Sequence, residues 1–242
     1  MATGIAIEEN QKIFIANGIY RAITHDLPEI IEENGLPTSV GSGLFRWNFI
    51  NKNLSEYIGG DFEVSFQKRG AWKFLLLRDC VTNLSFSIMS ESNFKKIQKS
   101  PPINAHYLEV LISSNKYREP LAEQLSFYNM YRQHDSSALF DLRNQLLSNF
   151  SGIVSEHILI VFDYNFTGVT SAKAILLNPN MQVALVEDWT QYLKTTYIPK
   201  LSYLNYTLNE DEEILAKLKP SYDSPDLVTY EPSARLKSIQ TT

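Results

Sequence analysis

Between Asp61 and Ser90 the chain abandons helical spacing for strict alternation. Phe62, Val64 and Phe66 are set against Glu63, Ser65 and Gln67, and Leu84, Phe86 and Ile88 against Asn83, Ser85 and Ser87. A period of two belongs to a β-strand with one apolar and one polar face. Lys68, Arg69 and Gly70 punctuate the run before Ala71 to Asp79, so the segment predicts a three-stranded antiparallel meander with a polar face. A second group repeats the order. Ile158 to Phe162 is a continuous apolar run suited to a central strand, Asn165 to Gly168 is a turn, and Val169 to Leu177 and Met181 to Glu187 follow on either side of Pro179 and Asn180.

Helical signals surround these groups. The opening segment reads helical, with Asp26 and Glu29 at capping spacing, a short helix from Leu27 to Asn34 and a stop at Gly35, Leu36 and Pro37. Leu44, Trp47, Ile50, Leu54 and Ile58 recur at three-to-four spacing up to Gly59 and Gly60. Asn104 and Ser137 read as caps of two middle helices, Asp188 as the cap of a short one, and Asn209 with Glu212 as a capping box for Glu210 to Lys219. The expected class is α+β: two small antiparallel three-stranded units, or one composite sheet, joined and flanked by helices. The expected segments are a helical 1–60, a first meander 61–103, a helical 104–152, a second meander with helices 153–219, and an extended tail 220–242.

Composition narrows the class without naming a function. A hydrophobic share of 44% is that of an ordinary globular chain. The single cysteine, Cys80, forms no internal disulfide and lies in an apolar run, which predicts burial as a small hydrophobe. With no basic-then-apolar leader and no apolar window of spanning length, the expected location is cytoplasmic, without membrane contact. The net charge is −5.

The chain contains no Gly-Lys dipeptide, no G-x-S-x-G, no H-E-x-x-H and no cysteine pair, and its four histidines are far apart in sequence, so neither metal nor cofactor is expected. Three sets of residues carry the remaining chemistry. An up-down-up meander would gather Asp163, Glu187 and Asp188 at one sheet edge near Lys173, an acidic cluster of the kind that suits a hard divalent cation; strand-end and capping roles are the expected reading. Asp61, Glu63 and Asp79 invite comparison with metal-dependent nucleases, yet no acid is followed two residues later by the lysine such sites use. Arg69, Trp72 and Lys73 are the candidate binding residues, within a basic stretch that also holds Arg46, Lys52, Lys68 and Arg78.

Several strings taken together resemble an uncharacterised bacterial domain-of-unknown-function family over about residues 44–193: Phe62-Glu63-Val64, Arg69-Gly70-Ala71-Trp72-Lys73, His106-Tyr107-Leu108, Gln124-Leu125-Ser126-Phe127, Ser171-Ala172-Lys173-Ala174 and Glu187-Asp188-Trp189. The resemblance implies a bacterial or phage origin and no activity. The expectation is a binding or regulatory protein acting through protein–protein contacts. A metal-dependent hydrolase is the first alternative and a nucleic-acid binder the second, the latter disfavoured by the overall acidity.

Overall fold

The computed structural model describes residues 4–35, 41–56, 61–69, 72–99, 105–121 and 136–194. The expected helix from Glu210 to Lys219 and the tail 220–242 lie outside them. Six helices are described: α1 (Glu9–Arg21), α2 (Leu27–Glu33), α3 (Ser42–Glu56), α4 (Glu91–Lys99), α5 (Tyr107–Ile112) and α6 (Ser136–Leu147). The strands are β1 (Phe62–Arg69), β2 (Trp72–Asp79), β3 (Leu84–Ser90), β4 (Glu156–Asn165), β5 (Gly168–Leu177) and β6 (Val183–Asp188).

All six strands form one sheet in the order β1-β2-β3-β4-β5-β6. Of the two expected arrangements, the composite sheet is the one that forms. Neighbours are antiparallel except β3 and β4, which run parallel from Leu84 beside Glu156 to Ser90 beside Phe162. A parallel pair needs a long crossover. Here α4, α5 and α6 lie on that connection, on one face of the sheet.

The alternation in each strand feeds two separate cores. One face carries Phe62, Leu77, Phe86, Ile160, Phe162 and Leu176 against α1 and α3. The other carries Leu76, Met89, Leu159, Val161, Ile175 and Leu177 against α4, α5 and α6. The result is three layers with the sheet in the middle. Gly18 lets α1 and α3 meet closely, because a Cβ there would stand 2.6 Å from Leu54 Cδ2. Between α1 and α2 the backbone does not break at Asp26 as a cap would require. It passes through a π-helical turn, Ala22–Asp26, and Asp26 instead accepts from Asn53 Nδ2 at 2.6 Å and pairs with Arg21 at 3.3 Å.

The polar face expected on β3 is covered rather than solvated. Ser85, Ser87 and His157 are all buried. The Ser85 hydroxyl lies 2.8 Å from His157 Nδ1 and the Ser87 hydroxyl 2.9 Å from Nε2. A neutral imidazole donates through one nitrogen and accepts through the other, so two hydroxyls satisfy it fully. Burial, reinforced by the nearby Arg143 guanidinium, lowers the His157 pKa to about 3. The Asn115 side chain completes the seam, accepting from the His157 N–H at 2.7 Å and donating to the His157 and Leu177 carbonyls at 2.9 and 2.8 Å.

The sign of the pH effect follows. An unfolded histidine gains its proton near pH 6.5, whereas the folded ring refuses it until about pH 3. Stability is therefore full above pH 6.5 and is lost as pH falls between those values, at most about 1.4 kcal/mol per pH unit. We expect urea midpoints to fall with acid more steeply for the native chain than for His157→Asn, which should be less stable at neutral pH; parallel curves would show that His157 does not carry the slope.

Candidate functional site

Helix α4 begins directly at the end of β3, and its residues Glu91, Phe94, Lys95 and Gln98 follow helical i, i+3, i+4 and i+7 spacing along one face. They line one wall of an open groove of about 340 Å³. Val161 on β4, Ile175 on β5 and Val183 and Val186 on β6 supply its apolar floor, with Leu121 at the side. Leu121 is 64% exposed, and its N–H donates to the Val183 carbonyl at 2.9 Å. The stretch leading to Leu121 is held by Arg118, whose guanidinium makes a two-pronged contact with Glu156 at 2.5 and 2.8 Å. Burial alone would raise the Glu156 carboxyl, but hydrogen bonds from Arg118 and the Lys116 N–H outweigh it and hold the group below the usual glutamate range.

One end of the groove carries alternating charges. Glu91 accepts from Lys95 at 3.1 Å and stands 3.6 Å from Lys173, which also lines the groove and pairs in register with Asp188. Burial opposes ionisation of Glu91, yet the two lysines bring its carboxyl below the ordinary range. The Asp188 carboxyl is lowered first by the Thr190 hydroxyl and N–H and then by Lys173.

The possible acidic cluster of Asp163, Glu187 and Asp188 is divided by the sheet, and the three acids take up separate local contacts. Strand parity sets Asp163 and Asp188 on the α4 face and Glu187 on the α1 face. Glu187 accepts from Lys12 at 2.5 Å and from the Ile5 N–H at 2.6 Å, tying the start of the chain to β6. Asp163 accepts from its neighbour's N–H at Tyr164, and Asp188 from Thr190 N–H at 2.8 Å. Among the described residues, no group of three or more His, Cys, Asp and Glu side chains could hold a metal ion.

The other acids are likewise engaged. Asp79 is buried and caps the β2–β3 turn through the N–H groups of Val81 and Thr82. Glu63 pairs with Arg78 at 2.8 Å and accepts from Ser151. Gly152 leaves room for Arg78, whose guanidinium end would collide with a Cβ there. Cys80, expected inside, is exposed, because the turn after β2 carries it past the last core residue. Partial burial of the thiol, then the Glu63 charge, pushes its pKa up despite Arg78.

The candidate binding residues lie on neighbouring rungs of one strand pair. In register, Arg69 faces Trp72 and Lys68 faces Lys73 at the end of the β1–β2 hairpin. Arg46 does not join them; its guanidinium lies over the Tyr164 ring, 4.0 Å from the centroid. Trp47 is half-buried and edge-on to Phe162.

Residues 5–230 match the model of a family of unknown function (DUF5986). The chain belongs to that family. The match extends well beyond residues 44–193, on which the sequence resemblance rested. No curated protein and no solved structure matches this member of DUF5986. Among its described residues, no helix is long and apolar enough to cross a membrane.

The carboxylate contacts make two variants diverge. Glu187→Gln should lower the unfolding free energy by about 1–2 kcal/mol, because it weakens two charge-assisted hydrogen bonds. Asp163→Ala should stay within about 0.5 kcal/mol of the native chain. Denaturant titration of both variants checks this, and equal effects would contradict the separation. For Cys80, alkylation by iodoacetamide at neutral pH should be slower than that of a free model thiol despite the exposure, and should accelerate above pH 9.

Proposed function

We propose that the protein is a cytoplasmic binding or regulatory protein of bacterial or phage origin, working through contact with another polypeptide rather than through turnover of a substrate. The groove between α4 and β6 is the surface that supports this reading. Its floor is the apolar face of three strands, and among the described residues it is open to solvent, as suits a chain segment laid across it. The charges at its end are two lysines and two carboxylates. They balance one another, so apolar contact rather than net charge sets the preference.

The hydrolase alternative has less to stand on. The polar side chains that a catalytic reading would recruit are committed within the fold: His157 to Ser85 and Ser87, Glu63 to Arg78, and Glu187 to Lys12.

A photo-crosslinking amino acid at Gln98, inside the groove, tests the reading. In lysate of the native host it should capture a discrete polypeptide that the same group at Phe166 does not, since Phe166 projects from the β4–β5 turn at 99% exposure. Capture should fall at least tenfold when Val186→Lys charges the floor. The absence of an adduct at Gln98, or the same adduct from both positions, would remove the groove from consideration.

A further inference from the structure

The strand edge beside the groove narrows what its occupant can be, an inference that rests on the polypeptide reading above. We propose that the partner segment joins the sheet as an extended strand along β6, with an apolar residue opposite Val186 and, two positions away, a lysine or arginine opposite Asp188.

The main chain of β6 supplies the first argument. It is the last strand of the sheet, so one side of it has no neighbouring strand. The Trp189 N–H donates to the Ala172 carbonyl at 2.9 Å, and the register runs unbroken from there to Leu185 beside Leu176. Main-chain groups alternate in direction along an antiparallel ladder. Leu185 and Glu187 therefore turn theirs toward β5, whereas Val186 and Asp188 turn theirs away. Among the described residues, none bonds to these outward groups. Past the register shift between Leu176 and Leu177 the phase changes, and the Val183 carbonyl points outward to accept from the Leu121 N–H at 2.9 Å. A backbone from outside the sheet thus already bonds to the start of this edge. Edge strands are ordinarily guarded by lysine, proline or an inward charge. Val183 to Val186 carry none of these.

The side chains supply the second argument. Val186, 41% exposed, lies opposite Ile175 in the groove floor, so an apolar residue on its other side extends that floor by one strand. Asp188 is exposed, and its opposite number on β5, Lys173, is drawn to within 3.6 Å of Glu91. A cation on the incoming strand completes that rung from the other side. The floor sets the affinity, and this one charge sets the partner's sequence. A second copy of β6 does not fit, because its only charged residues are Glu187 and Asp188. A docked helix would cover the floor but leave the outward main-chain groups of β6 without a backbone partner.

The test is selection of displayed random peptides of about 10 residues, the upper length of ordinary strands, on the full chain. Peptides recovered on the native chain should share an apolar residue two positions from a lysine or arginine. Selection on Asp188→Lys should replace that base with aspartate or glutamate. Synthetic copies of one recovered peptide, N-methylated one amide at a time, should lose about tenfold in affinity at every second position only, because only alternate N–H groups reach β6. Recovery of no peptide, the same motif on Asp188→Lys, or losses without alternation would overturn strand addition. Apolar residues spaced three and four apart, in peptides whose binding falls with Val186→Lys, would overturn it while keeping the groove as a polypeptide site. Peptides indifferent to Val186→Lys would remove both.

Discussion

The parallel pairing of β3 with β4 holds the two halves of the chain in one sheet, and a buried imidazole sits on that seam. Ser85 and Ser87 lie on one strand and His157 on the other, with their side chains on the same face. Leaving any of these groups unpaired at that depth would cost about 1–3 kcal/mol, so the cluster stabilises only the register that satisfies all of it. A shift of one residue would turn His157 into the opposite, apolar core. Asn115 extends the same specificity to β5 through the Leu177 carbonyl.

That seam also decides where the groove lies. Because β3 passes into α4 without an intervening loop, the helix starts beside the ends of β3 and β4 and covers the sheet only partly toward β6. The Phe94 and Ile97 side of α4 enters the core, and the Glu91, Lys95 and Gln98 side faces the remaining strip of strand surface. Among the described residues, the groove is the part of one sheet face beyond the reach of this nine-residue helix.

Much of this was legible in the sequence because it is local. The alternation of β1 and β3, the apolar run of β4, the turn at Asn165 to Gly168 and the helical spacing of α3 each report a period that needs no distant partner. What was hidden is long-range. Ser85 and Ser87 read as solvent-facing because nothing local reveals a histidine some seventy positions later. The parallel pairing was hidden for the same reason. Helix α4 follows its strand so closely that its Ser90 start, with the Asn93 N–H 3.4 Å from the hydroxyl, merges with the preceding alternation. Parity alone argues against the alternative of one acidic cluster: Glu187 and Asp188 are adjacent, and adjacent strand residues point to opposite sides. The pairing of β1 with β2 was legible because the two strands are near neighbours in sequence.

The π-helical turn at Ala22–Asp26 has a consequence for how this chain tolerates length change. A turn closed by i to i+5 bonds holds one residue more than its α-helical equivalent, and each residue advances a helix by about 100°. Deleting one residue there would restore a regular helix with its flanks in phase, whereas drawing all five residues into α-helical bonding would rotate α1 against α2 by about that angle. Either the Ile15 and Ile19 stripe would leave the sheet or Leu27 would leave its buried place. The wider turn absorbs the extra residue so that both faces still look inward, and Thr24, at its centre, accepts from the Val169 N–H at 3.4 Å. The bonding pattern of this short stretch is thus as tightly specified as the chemistry of any side chain in the core.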